Sequence, residues 1–165
     1  MTLLIRRPKT ADIAALTDLY NHYIHTTTIT FDIAPFTVEQ RTQWFNHYRE
    51  TGRHQLFIAE LAGEVVGYAS SSQLRSKAAY DTSVETSVYL NPKAHGQGIG
   101  TQLYHTLLSA LATEDVHRAY AGITLPNPAS IALHQKFGFK SVGVYREVGR
   151  KFGRYWDVEW FEKAL

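Results

Sequence analysis

The stretch of this chain best suited to chemistry is a glycine-rich turn, His95-Gly96-Gln97-Gly98-Ile99-Gly100. Glycines let the main chain approach an anion closely, and the first turn of a following helix presents unpaired N–H groups and the positive end of its dipole. That dipole stabilises a charge by only about 0.3–1 kcal/mol, so a tight site needs several N–H groups that converge on one anion. The turn is therefore a candidate binding site for a phosphate group.

The turn lies between a predicted strand and a predicted helix. Residues 83–90 have the composition of a strand, and Asn91-Pro92 ends it because proline cannot donate to a ladder. The two faces of the strand carry Val84, Thr86, Val88 and Leu90 on one side and Glu85, Ser87 and Tyr89 on the other. Past the turn, apolar side chains recur at helical spacing at Leu103, Leu107, Leu108 and Leu111. Strand, turn and helix is the order that a backbone cradle for phosphates requires.

Two known phosphate motifs fit the turn poorly. A Walker loop ends in Gly-Lys-Ser/Thr, whereas this turn ends in Gly100-Thr101-Gln102 without lysine. A dinucleotide fingerprint usually opens the first strand–helix unit of a fold and needs an acidic residue at a strand tip roughly 20 residues further on. Here the turn lies past the middle of the chain, and the nearest acids, Glu114 and Asp115, are at a predicted helix end. An ordinary glycine-rich connection remains the alternative to a phosphate cradle.

Composition narrows the class of protein. The chain has 165 residues, 44% hydrophobic and 13% aromatic, so we expect one folded domain over 1–165. A net charge of +2 without a Lys/Arg run argues against a nucleic-acid partner. The absence of cysteine excludes disulfides, thiolate metal sites and a cysteine nucleophile, and the histidines lack metal-ligand spacing, so no metal is expected. No apolar run reaches the roughly 18 residues of a membrane span, which predicts a soluble cytoplasmic protein with no membrane partner.

Hydrophobic periodicity predicts an α/β chain with a mixed sheet. Strands are predicted over 3–7, 55–61, 65–72, 83–90, 118–125, 142–147 and 155–161. Helices are predicted after an N-cap at Thr10, from Val38 to about Thr51 behind a capping box of Thr37 and Gln40, over 103–111 and over 128–137. Ala62-Gly63-Glu64 is a hairpin signal. We expect hairpins between the first strands and helical crossovers between the later ones.

The turn resembles the Q/R-x-x-G-x-G/A signature of the GNAT N-acetyltransferases, although His95 stands where glutamine or arginine is usual. In that family the turn holds the pyrophosphate of acetyl-CoA. The resemblance implies the GNAT fold: a mixed, mostly antiparallel central sheet with splayed central strands, flanked by helices. It also implies acetyl-CoA contacts, the pantetheine arm along Val88, Tyr89 and Leu90 and the pyrophosphate at Gly96, Gln97, Gly98, Ile99, Gly100 and Thr101.

A second segment, residues 127–139, is similar to the family's N-x-x-A/S-x-x-L-Y-x-x-x-G-F signature. Asn127 as cap and Pro128 at a first helical position explain its start. The resemblance implies that Asn127 and Lys136 contact the cofactor. His134 stands where many members have the tyrosine thought to protonate the departing thiolate, so it is a candidate catalytic acid; a purely hydrogen-bonding or structural role is the alternative.

Nearly the whole chain resembles the phosphinothricin N-acetyltransferases, a group that includes relatives acting on methionine sulfoximine and methionine sulfone. The matching segments are 19–21, 26–32, Arg41 with Trp44-Phe45, 67–70, 84–89 and 148–157. The last, with Lys-Phe-Gly-Arg followed by an aromatic and an aspartate, is the most specific. The resemblance implies a homodimer that transfers acetyl from acetyl-CoA to the α-amino group of a small amino acid, an activity of the herbicide and antibiotic resistance type.

An α-amino group is mostly protonated at neutral pH, and only its free base attacks a thioester. The resemblance puts the general base at Glu85, acting directly or through a water. From the residues alone, a solvent-facing strand glutamate is the alternative. Because the chain has no cysteine, attack should be direct within a ternary complex, with the oxyanion held by a main-chain N–H near Leu90.

Recognition of an amino acid needs a cation for its carboxylate or for a phosphinate or sulfoximine side chain. Arg75 is the first candidate, because a guanidinium binds such groups with two parallel hydrogen bonds. The resemblance adds further candidate substrate contacts at Phe31, Ala78, Ala79, Tyr80, Lys151 and Arg154, the last two in the same site or the partner's. For each, a surface charge or a packing residue is the alternative. Two other functions remain open, an acetyltransferase for peptide or protein N-termini and a non-catalytic acetyl-CoA sensor.

Overall fold

A seven-stranded sheet forms the centre of the computed structural model, which describes residues 2–165. The strands are β1 (Leu3–Arg6), β2 (Leu56–Leu61), β3 (Glu64–Gln73), β4 (Ser83–Leu90), β5 (Arg118–Thr124), β6 (Lys140–Lys151) and β7 (Arg154–Ala164). The helices are α1 (Ile13–Thr26), α2 (Val38–Phe45), α3 (Ile99–Leu111) and α4 (Pro128–Lys136), with short 3-10 turns at Thr10–Asp12, Ala78–Tyr80 and Pro92–Ala94. No helix of this described part is long and apolar enough to cross a membrane.

The sheet has the strand order β1-β2-β3-β4-β5-β7-β6. Its described strand pairs are antiparallel except β4 with β5, which run parallel and are joined by the crossover helix α3. The parallel pairing covers only Ser83–Glu85 against Arg118–Tyr120, and beyond it the two strands diverge. This confirms the predicted mixed, mostly antiparallel sheet with splayed central strands. The divergence leaves one side of β4 without a strand partner from Thr86 to Leu90.

Two apolar clusters hold the helices against opposite faces of the sheet. On one face, α3 buries Leu103, Leu107 and Leu111 against strand residues such as Val84 and Ala119. On the other, α1 packs through a second cluster containing Leu16, Leu19, Tyr23, Leu56, Ile58 and Tyr68, with Tyr89 of β4 against it. The alternation of side chains along β4 thus sends even-numbered residues towards α3 and Tyr89 towards α1, as the sequence pattern predicts.

Local capping and turn signals are confirmed where the sequence predicted them. The Thr37 hydroxyl accepts from the N–H of Gln40 at 3.2 Å, and the Gln40 side chain accepts from the N–H of Thr37 at 2.9 Å, a reciprocal capping box. The Asn127 side chain caps α4 by accepting from the N–H of Ser130 at 3.2 Å. Ala62 and Gly63 have φ of 53° and 85°, which closes the β2–β3 hairpin.

Three predicted boundaries were wrong. Helix α2 ends at Phe45 instead of about Thr51 because the chain turns back, and the N–H of Arg49 donates to the carbonyl of His54 at 3.0 Å. Thr10 is not an N-cap, because it opens a 3-10 turn whose N-cap position is Lys9. Helix α3 starts four residues earlier than predicted, at Ile99.

The last two strands are longer than predicted and form one hairpin. β6 runs to Lys151 and β7 begins at Arg154, so the Lys-Phe-Gly-Arg motif is the hairpin turn, with φ of 53° at Phe152 and 74° at Gly153. The register between the strands shifts between Tyr145 and Gly149, which marks a bulge in β6. Helices α1 and α2 join β1 to β2, as the sequence predicted, and the predicted hairpin joins β2 to β3.

Candidate active site

The gap between β4 and β5 is lined by three cavities in a row. The first, of about 520 Å³, contains Glu85 in its wall and is called here the Glu85 cavity. The second, of about 50 Å³, lies in the gap itself, and the third, of about 230 Å³, reaches His95 and Gly96 of the glycine turn. Ile29 lines all three, while Val88 and Asn127 line the second and third. Together they form one groove from the glycine turn to Glu85.

The glycine turn leaves the start of α3 open. Gly96 and Gly98 have φ of 76° and 75°, a left-handed conformation that side chains other than glycine rarely adopt. No side chain caps α3, so the N–H groups of its first turn, from Ile99 to Thr101, are free for an anion. The Lys136 ammonium of α4 reaches the same turn, where it donates to the Thr101 hydroxyl at 3.5 Å. N–H groups, helix dipole and one cation therefore converge at this end of the groove.

His95 and Tyr23 close the wall beside the turn. The Tyr23 hydroxyl donates to the carbonyl of Leu90 at 2.5 Å and lies 3.1 Å from Nε2 of His95. Because its proton goes to that carbonyl, Tyr23 accepts from the histidine. The bonds tie α1 and the turn to the end of β4, and sequence reasoning missed Tyr23 because it occupies an ordinary apolar position in α1.

Glu85 lies at the far end of the groove, in the wall of the Glu85 cavity. Burial raises the pKa of its carboxyl group, and the positive charge of Arg75 acts in the opposite direction. Within residues 2–165, no hydrogen bond to this carboxylate is present, so its oxygens are free to accept a proton from a ligand. A half-buried, unengaged carboxylate with a raised pKa is suited to general-base chemistry.

His134 is 4% exposed and both ring nitrogens have protein partners. Nδ1 donates to the carbonyl of Ser130 at 2.7 Å, and Nε2 accepts from the Tyr104 hydroxyl at 2.8 Å. The Tyr104 hydroxyl in turn lies 2.5 Å from the hydroxyl of Thr86 on β4. Burial lowers the pKa of the imidazole, which favours its neutral form. The neutral ring therefore links Ser130 to Tyr104 and Thr86 by hydrogen bonds, and its one N–H group is engaged by the Ser130 carbonyl. His134 also lines the cavity in the gap between β4 and β5.

The predicted substrate residues divide into three groups. Phe31 lines the Glu85 cavity. Arg75 and Tyr80 line a fourth cavity of about 480 Å³, the Arg75 cavity, which shares Tyr145 and Trp160 with the first. The remaining four, Ala78, Ala79, Lys151 and Arg154, line none of these four cavities.

The four outlying residues have other surroundings. Ala78 and Ala79 are exposed in a 3-10 turn. The Arg154 guanidinium is exposed and stacks over Trp156 at 4.3 Å. Lys151 is 5% exposed, and its ammonium donates to the carbonyl of Thr30 at 2.8 Å, so this cation is already engaged within the chain.

Several residues of the Glu85 cavity were not predicted to be site residues. They are Tyr20, Thr30, Ser72, Gly122, Thr124, Tyr145, Val148, Val158 and Trp160. Most come from β5, β6 and β7 or from the segment after α1, whose proximity depends on the sheet order. Gly122 has a packing reason, because a Cβ there would lie 3.0 Å from the Trp160 ring. Among residues 2–165 no group of three or more His, Asp or Glu side chains is arranged to hold a metal ion.

Comparison with known proteins gives the site a family context. Residues 5–160 match the acetyltransferase (GNAT) domain family. The chain is 58% identical to phosphinothricin N-acetyltransferase of Streptomyces coelicolor over 156 residues, an alignment that covers 93% of this chain and 91% of that protein. It is 33% identical over 165 residues to the L-methionine sulfoximine/L-methionine sulfone acetyltransferase of Pseudomonas aeruginosa, covering 100% and 96%. A phosphinothricin acetyltransferase from Sinorhizobium meliloti, solved in complex with acetyl-CoA, superposes with a TM-score of 0.92 at 31% identity, covering 100% and 89%.

Proposed function

Because the chain belongs to the GNAT acetyltransferase family, we propose that it transfers the acetyl group of acetyl-CoA to the α-amino group of a small amino acid such as phosphinothricin, methionine sulfoximine or methionine sulfone. Acetyl transfer to amino-acid analogues of this kind is the activity named for its relatives. The observation that carries the finer proposal is the continuous groove between the glycine turn and Glu85. It offers an anion site at one end and a free carboxylate at the other.

The groove fits coenzyme A along its length. The open N–H groups of α3, with Lys136 beside them, suit the diphosphate, and the unpaired side of β4 from Thr86 to Leu90 suits an amide-containing arm. Val88, Leu90, Ala129 and Leu133 give the turn end an apolar floor. Acetyl-CoA, when bound, supplies an activated acetyl thioester. We place Gly96–Thr101, Asn127, Lys136 and Val88–Leu90 at its contacts.

Glu85 acts as the general base in this proposal. The incoming amino acid presents an ammonium group, and the carboxylate removes a proton from it directly or through a water. Burial supports this role because a carboxyl group with a raised pKa holds an abstracted proton more firmly than an exposed one. The freed amine then attacks the thioester carbonyl directly, since the chain has no cysteine to carry the acetyl group. Breaking the C–S bond would leave the acetylated amine and release coenzyme A as a thiolate, which takes up a proton as the new amide nitrogen loses one.

For His134 the geometry favours positioning over acid catalysis. Its Nδ1–H is held by the carbonyl of Ser130, and its Nε2 accepts from Tyr104, so a proton would reach a leaving group only after these bonds break. We infer that His134 fixes Tyr104 and Thr86, and through them the inner side of β4 where the groove narrows.

Arg75 is the proposed cation for the carboxylate or the anionic side chain of the acceptor. Its positive charge lowers the pKa of Glu85, against the effect of burial. Its guanidinium lies 5.9 Å over the Trp160 ring, at the boundary between the Glu85 and Arg75 cavities. An α-amino acid bridging this boundary would direct its amino group to Glu85 and an oxyanion to Arg75. Tyr80 lines the same second cavity.

We also propose that the protein is a homodimer that pairs through the β6–β7 hairpin. Five large apolar side chains of this hairpin, Val142, Tyr145, Val148, Phe152 and Tyr155, are between 51% and 56% exposed. Such a cluster is typical of a protein–protein interface. Tyr145 and Val148 also wall the Glu85 cavity, so a second copy seated there would cover one wall of the site. Light scattering tests this: a mass of twice 18.7 kDa supports the dimer, and a monomer at assay concentration contradicts it.

An acceptor panel tests the function. The purified protein is mixed with acetyl-CoA and with phosphinothricin, methionine sulfone or a short peptide, and free thiol release is followed. Release with phosphinothricin or the sulfone, lost in Glu85→Gln, is the expected result. Turnover of the peptide alone would indicate an N-terminal acetyltransferase instead. Cofactor binding without turnover of any acceptor would indicate a sensor.

A further inference from the structure

The segment of residues 27–32, called here the Phe31 segment, lies where the cofactor groove meets the Glu85 cavity. Ile29 lines all three cavities of the groove, and Thr30 and Phe31 line the Glu85 cavity. The segment has no regular secondary structure, so no helix or strand ladder determines its position. Short-range hydrogen bonds order its ends, and contacts with distant parts of the chain hold its middle, at Thr30 and Phe31.

Two polar contacts hold Thr30. Its hydroxyl lies 2.7 Å from the hydroxyl of Tyr20 on α1, and its carbonyl accepts from the Lys151 ammonium at 2.8 Å. Tyr20 also donates to the carboxylate of Asp32 at the end of the segment. Lys151 is buried, and a buried ammonium bonded to a main-chain carbonyl is a stronger constraint than a neutral hydrogen bond. The end of β6 and helix α1 thus both hold the Phe31 segment in place.

A steric contact determines where the Phe31 ring lies. An added Cβ at Gly149 of β6 would come within 2.6 Å of two Phe31 ring carbons, and closer still to a third. The φ of Gly149 is outside the left-handed region, so its backbone accepts any residue and the obstacle is the ring itself. The ring fills a notch that exists because residue 149 has no side chain. Gly149 follows the β6 bulge, and Val148 beside it lines the same cavity as Phe31.

We propose that Gly149 and Lys151, neither of which lines the cavity, position Phe31 and so determine which amino-acid side chains the Glu85 cavity accepts. The inference rests on the proposed acetyltransferase function. In this proposal Phe31 contacts the substrate and determines specificity. Gly149 leaves the space that the Phe31 ring occupies, and Lys151 positions the segment. Lys151 then acts on the Phe31 segment of its own chain and has no contact with the substrate.

Gly149→Ala is the direct test of the notch. The new methyl group forces the ring out of its seat and into the cavity, so KM for methionine sulfone should rise about tenfold or more, with a smaller change in kcat. The affinity for coenzyme A, measured by calorimetry, should change less than about twofold. In Phe31→Leu/Gly149→Ala the clash is gone, and KM should return to that of Phe31→Leu alone. Ser141→Thr, which adds a methyl group at an exposed position of the same strand, is the matched control.

Lys151→Met tests the second contact, since it keeps the length of the buried chain and removes the donor. We expect a rise in acceptor KM of about fivefold. We also expect faster amide hydrogen exchange in peptides that cover residues 27–32, with exchange in α3 unchanged. Exchange needs no turnover, so it reads the position of the segment even if the acceptor panel fails.

The outcomes separate the two proposals. If no amino acid is acetylated, the proposed function fails, and the exchange data alone decide whether Lys151 and Gly149 hold the segment. If the wild-type protein turns over methionine sulfone but Gly149→Ala and Lys151→Met leave both its KM and the exchange of 27–32 unchanged, this inference is wrong. A KM that rises in Gly149→Ala but does not return to the Phe31→Leu value in the double variant would also overturn it.

Discussion

The two ends of the groove are built on different principles. The turn end, from β4 to α3, presents main-chain N–H groups held by regular secondary structure that is contiguous in sequence. The acceptor end is made of side chains from the Phe31 segment, β5, β6 and β7, which are distant in sequence and meet only in the folded sheet. The difference implies that cofactor binding depends on backbone conformation, whereas acceptor choice depends on side-chain packing. Variants at the two ends should therefore have separable effects on coenzyme A affinity and on acceptor turnover.

The largest effect is expected at the acceptor end, from Glu85→Gln. Loss of the general base should lower kcat by about 10²–10⁴-fold, because the amide keeps the shape but does not take a proton. Coenzyme A affinity should stay within about twofold, since the turn end is untouched. Steady-state kinetics and calorimetry measure the two quantities. Glu159→Gln, a glutamate of β7 outside the cavities, is the control, and an equal loss in both variants would argue against a catalytic role.

At the turn end, Gly98→Ala should weaken coenzyme A binding by about tenfold, because a side chain at φ 75° costs about 1–2 kcal/mol and shifts the N–H groups of α3. Gly63→Ala provides the matched control, with φ 85° and the same open space around the added methyl group but in the β2–β3 hairpin. It should lose similar stability in urea and keep its coenzyme A affinity. Equal affinities in the two variants would mean that the turn does not hold the cofactor.

Between the two ends, Tyr104→Phe removes the hydroxyl that links Thr86 to His134. Two buried polar groups then lose a partner, and the free energy of unfolding should fall by about 1–3 kcal/mol. Urea unfolding measures it, with Tyr155→Phe, whose ring is exposed, as the control. A change below about 0.5 kcal/mol would mean that the buried chain does not brace β4.

The smallest effect is a shift in the pH profile. Activity should rise with pH as Glu85 loses its proton, because only the carboxylate acts as a base. Arg75 lowers the pKa of Glu85, so Arg75→Gln should raise that pKa and move the acid limb of kcat/KM to higher pH. Lys77→Gln, a nearby exposed cation, should leave the limb in place. If the acid limb of kcat/KM stays at the same pH in Arg75→Gln, the Arg75 charge does not act on Glu85.

The same difference between local and long-range structure explains which features could be predicted from the sequence. The bounds of β4, the caps of α2 and α4, and the β2–β3 hairpin were correct because each depends on residues within a few positions of one another. The order of strand, turn and helix over residues 83–111 is of this kind, although α3 starts at Ile99 instead of Leu103. Helix α2 was drawn too long because its end depends on the turn-back of the chain at 46–54, which periodicity does not encode.

At the acceptor end, candidate residues could be named from the sequence, but the residues that they contact could not. Lys151 belongs to a specific motif and was predicted to contact the substrate, yet its ammonium bonds to Thr30, 121 positions earlier. Trp160 and Tyr20 were not predicted to be site residues, because each becomes part of the cavity only when β5 pairs with β7 and α1 packs against β4. The assignments of Glu85, Arg75 and the cofactor contacts stay predictions until they are measured.

A crystal structure with coenzyme A and methionine sulfone tests the central claim most directly. The account predicts the diphosphate within hydrogen-bond distance of the main-chain N–H groups of residues 98–101. It also predicts the acceptor amino group beside the Glu85 carboxylate, in direct contact or through one water. Coenzyme A bound away from the gap between β4 and β5, or an acceptor whose amino group lies away from Glu85, would contradict it.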